Sequence, residues 1–319
     1  MSESMIEYFK KDVLSGLSAN PKTLSSKYFY DAKGDELFQQ IMAMPEYYLT
    51  NKEFEIFSQQ SHKLIEAFDL KKNEYFELIE LGAGDGTKTV ELLKALQREK
   101  YTYDYFPVDI SQNALDGLEE MCSEKVPNLN VVKKQGDYFG VLSSFKKSKK
   151  KKVVLFMGSN IGNMNDERAR DFIYKLGESL NPGDKLMIGI DLIKSKAIVG
   201  PAYNDAAGIT SAFNLNLLAR INRELGGDFN LENWSHAPEY SEETGYAKSY
   251  IRSEVDQLVT ISAIGESFQF KAGEKIHTEI SRKYNDEIMQ NIIRGTDFKL
   301  HDKLTDSDGW FADYVLERA

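Results

Sequence analysis

The sequence predicts an α/β protein in which a mostly parallel sheet is interrupted by a smaller α+β part. Three observations predict it. Glu74–Leu96 reads as strand, glycine turn and helix. Strands and helices then alternate as far as Leu192. Residues 194–283 break that alternation with a helix and antiparallel strands, after which the C-terminus returns to helix and strand.

In chain order, residues 1–20 read as an amphipathic helix, with Met5, Ile6, Phe9, Val13 and Leu14 at helical spacing. Lys27–Phe57 is rich in aromatics: Tyr28, Phe29, Tyr30, Phe38, Tyr47 and Tyr48. Its segment GDELFQQIMAM is a helix that stops before Pro45. Thr50 and Glu53 have the T-x-x-E spacing of a capping box, opening a helix that runs to about Phe68.

The central unit follows. Tyr75, Phe76, Leu78, Ile79 and Leu81 form a strand apolar enough to be buried on both faces. The chain turns through Gly82, Gly84 and Gly86, and Val90, Leu92, Leu93 and Leu96 then mark one buried side of a helix. Without Cβ, such a turn adopts positive φ and lies close to a ligand, aiming the helix N-terminus at it. The spacing is GAGDG rather than the G-x-G-x-x-G of dinucleotide binders, and the acidic Glu80 closes the strand. That combination resembles the first motif of class I S-adenosylmethionine (SAM) methyltransferases. SAM has no phosphates, so the loop would hold its amino-acid and ribose parts. A glycine turn in another α/β protein reads the same way.

Tyr103–Ser111 is the next strand, and Asp109 ends it. A carboxylate there can accept from both ribose hydroxyls, or it can cap the helix that follows. Asn130–Gly140 brings Asp137 and Tyr138 after a short strand, suited to an adenine amino group and to the face of the base. Val153–Met157 is an apolar strand, and Gly158–Asn163 is the loop at its carboxyl end, where ligands bind in open α/β sheets. Lys185–Leu192 is a further strand after the turn Asn181–Asp184. Within the interruption, Ser211–Leu225 is an amphipathic helix ended by Gly226 and Gly227. His277–Tyr284 sets Glu279 and Ser281 on one face of a strand. A helix running into a strand and a terminal strand over Gly309–Ala319 complete the Rossmann-like sheet.

The 319 residues have a net charge of −10, which argues against nucleic acid or an anionic membrane as partner. Lys146–Lys152, broken only by Ser148, is a local exception and reads as a solvated loop or an electrostatic docking patch. One cysteine, Cys122, excludes an internal disulfide, and four scattered histidines lead us to expect no metal. The charged N-terminus has neither the apolar run of a signal peptide nor that of a membrane span, so the cytoplasm is the default.

Taken together, KYFYDAKGDELF, PEYYLTNKE, ELGAGDGTKT, PVDIS, MGSNIGN, GPAYNDAAGITSAFN, INRELGGDF and HTEISRKY resemble the histidine-specific, SAM-dependent Nα-methyltransferase family over nearly the whole chain. The type member makes trimethylhistidine (hercynine) in ergothioneine biosynthesis. The resemblance implies a class I methyltransferase domain with a mostly parallel seven-stranded sheet over 53–193 plus 284–319. It also implies a substrate domain over 1–52 plus 194–283 that closes over the amino acid. Carried over by motif, Tyr30, Gly82, Gly84, Gly86, Lys88, Asp109, Asp137 and Tyr138 bind SAM. Asn163 and Tyr203 hold the α-carboxylate and amino group, and Tyr47, Glu279 and Ser281 contact the imidazole. The expected catalytic set is Asn163, Tyr203 and Tyr47. One departure stands out: the family usually carries a Glu-Met pair where this chain has Lys248-Ser249, so Ser249 enlarges or wets the imidazole wall.

The leading reading is therefore N-methylation of histidine in three successive transfers, by a chain favoured as a monomer. The same reaction on another amino acid or small amine, or a SAM- or nucleotide-binding protein without turnover, are the alternatives. For Glu279 the bland reading is a solvated strand charge near Arg282 and Lys283; for Tyr47 it is core packing, and for Tyr203 a loop aromatic.

Overall fold

The computed structural model describes residues 3–319. The chain divides into two compact units, Met1–Tyr48 with Lys194–Ser281, and Leu49–Ile193 with Arg282–Ala319.

In chain order, α1 (Glu3–Ser18), α2 (Ala32–Ala43) and α3 (Tyr48–Ala67) come first. The alternating region is β1 (Phe76–Leu81), α4 (Thr89–Arg98), β2 (Tyr103–Asp109), α5 (Gln112–Lys125), β3 (Lys134–Gln135) and α6 (Tyr138–Phe145). It continues with β4 (Lys151–Phe156), α7 (Asp166–Gly177) and β5 (Lys185–Asp191). Then come α8 (Lys196–Tyr203), α9 (Ile209–Leu225), β6 (Trp234–His236), β7 (Glu239–Ser241) and β8 (Tyr246–Ser253). The strands β9 (Gln257–Ile261), β10 (Glu266–Phe270) and β11 (Lys275–Arg282) follow. The chain ends with α10 (Asp286–Ile293), β12 (Phe298–Thr305) and β13 (Phe311–Arg318).

The larger unit is built on a seven-stranded sheet of order β12-β13-β5-β4-β1-β2-β3. β13 runs antiparallel to both neighbours, and the pairs from β5 to β3 are parallel. All six residues of β1 are buried. Alternate side chains go to opposite faces: Phe76 and Leu78 join Leu64, Phe68, Val90 and Leu93, while Ile79 and Leu81 join Phe172, Ile173, Met289 and Ile292. Helices on both faces explain why the strands read as continuous apolar runs. The chain fills one side of β1 with β2 and β3, then returns to the other side with β4 and β5. The loops after β1 and β4 thus meet at the point where strand order reverses.

The smaller unit is built on α9. Phe213, Leu217, Leu218, Ile221 and Leu225 pack with Phe9, Val13 and Leu17 of α1, Leu37 and Ile41 of α2, and strand residues Ile251, Val259, Phe270 and Ile276. α9 ends at Gly226 in the left-handed conformation, as its sequence predicts. β8 pairs with β11, β6 and β7, and β9 with β10 forms a hairpin.

Several expectations need correction. The first two positions of the N-terminal helix lie outside the described residues, and Met5 and Leu14 are exposed, because the buried stripe is Phe9, Val13 and Leu17. Thr50 and Glu53 form no capping box: α3 already begins at Tyr48, which turns Glu53 into the interior. The lysine run is not wholly solvated. Lys151 and Lys152 belong to β4, and the buried Lys152 ammonium meets Asp184 at 3.4 Å and the Ser148 carbonyl at 3.0 Å. The helix α8 was not foreseen. No helix among the described residues is long and apolar enough to cross a membrane.

Candidate active site

At the carboxyl edge of β1, Gly82, Gly84 and Gly86 have φ of +71°, +55° and +66°. A Cβ on Gly82 would come within 2.7 Å of the Tyr138 hydroxyl, whereas one on Gly84 would meet nothing within 4 Å, so the turn is open above Gly84. Asp109 closes β2, accepting from the Gly84 N–H at 3.3 Å and the Ser111 N–H at 2.9 Å. The cap of α5 is Ser111, whose hydroxyl accepts from Ala114 N–H. Asp109 is therefore not spent on capping. The Tyr138 phenol is pushed up by burial and then by the Asp109 charge, so both lie at the turn. Its ring packs edge-on to Phe156 at 5.8 Å and to Phe172 at 6.3 Å. Asp137 caps α6, with Oδ1 accepting from Gly140 N–H at 2.9 Å.

Lys88 follows the turn and pairs with the Glu53 carboxylate. Burial alone would lower the pKa of Lys88; Glu53, Asp313 and Glu80 outweigh it, and the ammonium is held above its ordinary value. Glu53 also accepts from the Gly158 N–H, 3.0 Å from each oxygen. Beyond Gly158, the Ser159 hydroxyl accepts from Asp191 N–H at 3.1 Å, and the Asn160 amide donates to the Met157 carbonyl at 2.8 Å. Asn163 ends this turn and is exposed. At the end of β5, Asp191 and Lys283 form a fully buried ion pair of 2.7 Å.

In the smaller unit, Tyr203 ends α8 and its hydroxyl donates to Ser281 Oγ of β11 at 2.8 Å. His236 Nε2 lies 2.8 Å from the Tyr203 carbonyl. A carbonyl only accepts, so Nε2 carries a proton, and burial lowers the histidine's pKa. Glu279, two residues before Ser281, is half-buried. Crowding by the surrounding protein, and then the Glu279 charge, hold the Tyr30 phenol above the usual tyrosine range, although the residue is 43% exposed. Tyr30 packs against Phe38 and Phe213, with centroids at 5.5 and 5.8 Å. Tyr47 packs against the same core. A cleft of about 300 Å³ has Tyr203, Lys196, Glu239 and Tyr240 in its wall. In β8, Lys248 is exposed and Ser249 is buried, as alternation requires. The Ser249 carbonyl lies 3.0 Å from the Thr278 hydroxyl, which is 3.1 Å from the Asn214 amide oxygen.

Residues 9–318 match the family described as "Histidine-specific methyltransferase, SAM-dependent". The chain belongs to this family. A histidine N-alpha-methyltransferase of Mycolicibacterium smegmatis is 35% identical over 286 residues, 90% of this chain and 87% of that protein. One from Mycobacterium tuberculosis is 34% identical over 275 residues, 86% of this chain and 84% of that protein. Ergothioneine biosynthesis protein 1 of Schizosaccharomyces pombe is 29% identical over 304 residues, covering 92% of this chain but 39% of that longer protein.

The chain is a SAM-dependent methyltransferase with a class I fold, and SAM is its cofactor. The edge of the larger unit fits that group chemically. It offers a glycine turn open above Gly84, an acceptor carboxylate on Asp109 and an ammonium on Lys88. Glu80 is not at the surface of this edge. It is buried beneath the turn, bonded by Thr89 at 2.7 Å and by Tyr105, and burial raises its pKa to about 7. The folded chain therefore keeps a proton that the unfolded chain releases between pH 4.5 and about 7, and stability falls as pH rises through that window. Glu80→Gln removes this dependence. Its melting temperature, relative to the parent, should rise from pH 5 to pH 8, by at most about 3 kcal/mol in stability. Parallel melting curves would contradict this.

Sequence reasoning missed Glu53, Asp313, His236 and Asn214. Asp313 left a signal, a lone carboxylate inside the apolar run of β13, and Asn214 lies in a quoted motif. His236 left none, because its partner is a backbone carbonyl.

Proposed function

We propose that this enzyme transfers methyl groups from SAM to the α-amino group of L-histidine, three in succession, giving trimethylhistidine. The observation that carries the reading is the hydrogen bond from Tyr203 to Ser281, one alternate position along β11 from Glu279. It joins a group suited to the amino-acid end of a substrate to one suited to an imidazole. The family match and the names of the mycobacterial relatives support it.

In this reading the larger unit binds SAM and the smaller unit recognises histidine. Asp109 accepts from the ribose hydroxyls, Asp137 and Tyr138 serve the adenine, and Gly82, Gly84, Gly86 and Lys88 serve the methionine part, with Tyr30 as a further SAM contact. Bound SAM supplies a sulfonium methyl for in-line displacement, whose sulfur keeps the bonding electrons. The nitrogen must be neutral to attack, so the α-ammonium gives up one proton to solvent before each of the three transfers, and the residues' part is to align the neutral amine with the methyl. Tyr203 and Asn163 orient the amino and carboxylate groups and keep the nitrogen lone pair directed at the methyl. The Glu279 carboxylate accepts an imidazole N–H, Ser281 meets the other nitrogen, and Tyr47 lines the ring.

One observation favours a second reading, another amino acid as substrate. Ser249 is buried at the position where the family usually carries methionine, which leaves a smaller, more polar wall. Mass spectrometry of histidine incubated with SAM tests the proposal. Gain of up to three methyl masses is expected, and no gain rejects it.

A further inference from the structure

The charged groups inside the larger unit include one carboxylate with two loops in its grip. Glu53 of α3 is fully buried. It holds the Lys88 ammonium, which follows the turn after β1, and the Gly158 N–H, which opens the turn after β4. Space for it is cut into the sheet, since a Cβ on Gly189 of β5 would overlap the Glu53 carboxylate and lie 3.1 Å from Asp313 Oδ1. Gly189 and Asp313 are paired across β5 and β13. Two carboxylates are thus buried near one ammonium, and of the two only Glu53 bonds it, both oxygens of Asp313 being without a hydrogen-bond partner. Burial, and then the Glu53 charge, push the Asp313 pKa well above the ordinary carboxylate value. A buried ion pair adds little net stability over apolar packing, and breaking one by removing a single partner is costly. Stability alone therefore gives no reason for this arrangement. What it does is tie together two loops at the reversal point of the sheet, where ligands bind.

We infer that Glu53 is a positioning residue that sets the Lys88 ammonium for the carboxylate of SAM and fixes the Gly158–Asn163 turn through the same side chain. The first half rests on the reading of Lys88 as a SAM contact; the second does not. Glu53 touches neither reacting atom. Its effect is on where a cation and a polar loop stand before SAM binds.

The test is Glu53→Gln, which keeps shape and one acceptor but turns an amide N–H toward Lys88. Three quantities are read on the full chain: SAM affinity by calorimetry, amide hydrogen exchange over 158–163 by mass spectrometry, and melting temperature. SAM affinity should fall by about tenfold or more, the loss of one charge-assisted contact, and exchange over 158–163 should quicken without SAM. If affinity and exchange both stay at parent values, whatever the melting temperature does, the inference is overturned. If affinity falls while exchange does not change, the link between the loops is overturned. Should Glu53→Gln fail to fold, Lys88→Met is read instead. Loss of its counter-ion should loosen Glu53 and quicken exchange over 158–163, and unchanged exchange rejects the link. None of these readouts uses histidine, so a different amino-acid substrate would leave the inference standing and overturn only the proposed reaction.

Discussion

Glu279→Ala should lower kcat/KM for histidine by roughly 10- to 150-fold, the value of one charge-assisted hydrogen bond of about 1.5–3 kcal/mol, and should leave SAM affinity within about twofold. Glu279 is a half-buried carboxylate on β11, two residues from Ser281. If its task is an imidazole N–H, the loss falls on KM and kcat for histidine and spares SAM. Glu279→Gln separates charge from shape, because the amide oxygen still accepts while the charge is gone, and it should lose less than alanine does. Steady-state kinetics and calorimetry on the same preparations decide it. Equal losses for histidine and SAM would show that Glu279 only holds the strand in place.

The mirror image is expected at Asp109. If Asp109 has the proposed ribose role, Asp109→Ala should weaken SAM binding by about 10²-fold or more, because two ribose hydroxyls would lose one shared acceptor at about 1.5 kcal/mol or more each. The structure adds a second cause. The same carboxylate accepts from Gly84 N–H within the glycine turn and from Ser111 N–H, so its removal also loosens the turn. Asp109→Asn keeps the shape and one acceptor and should lose less. The KM for histidine, measured with SAM saturating, should stay near the parent value. Calorimetry with SAM and S-adenosylhomocysteine reads the effect. Retention of full affinity by Asp109→Ala would remove this residue from the cofactor site.

The larger unit was legible in the sequence because its signals are local. β1 is buried on both faces and reads as an unbroken apolar run, and the glycines after it have the positive φ that their spacing suggests. The pairing of Glu279 with Ser281 was also legible, from the period of a strand. The bond from Tyr203 to Ser281 was not, because it joins residues 78 apart in the chain through a helix hidden in a run that contains Pro201. Glu53 was misread for a related reason. Its spacing from Thr50 fits a capping box, and only the start of α3 at Tyr48 shows that its carboxylate is used inside. Lys152 looked like part of a solvated run, and the carbonyl and carboxylate that let an ammonium be buried there are set by the turn ending at Asp184.

The proposed reaction stands or falls on which amino acid is methylated fastest. The enzyme is incubated with SAM and, separately, with histidine and each of the other common amino acids, and initial rates and product masses are compared. Histidine is expected to have the highest kcat/KM and to accumulate a product three methyl groups heavier. A larger kcat/KM for another amino acid, with histidine left unmodified, would contradict the proposed reaction and would turn attention to Ser249.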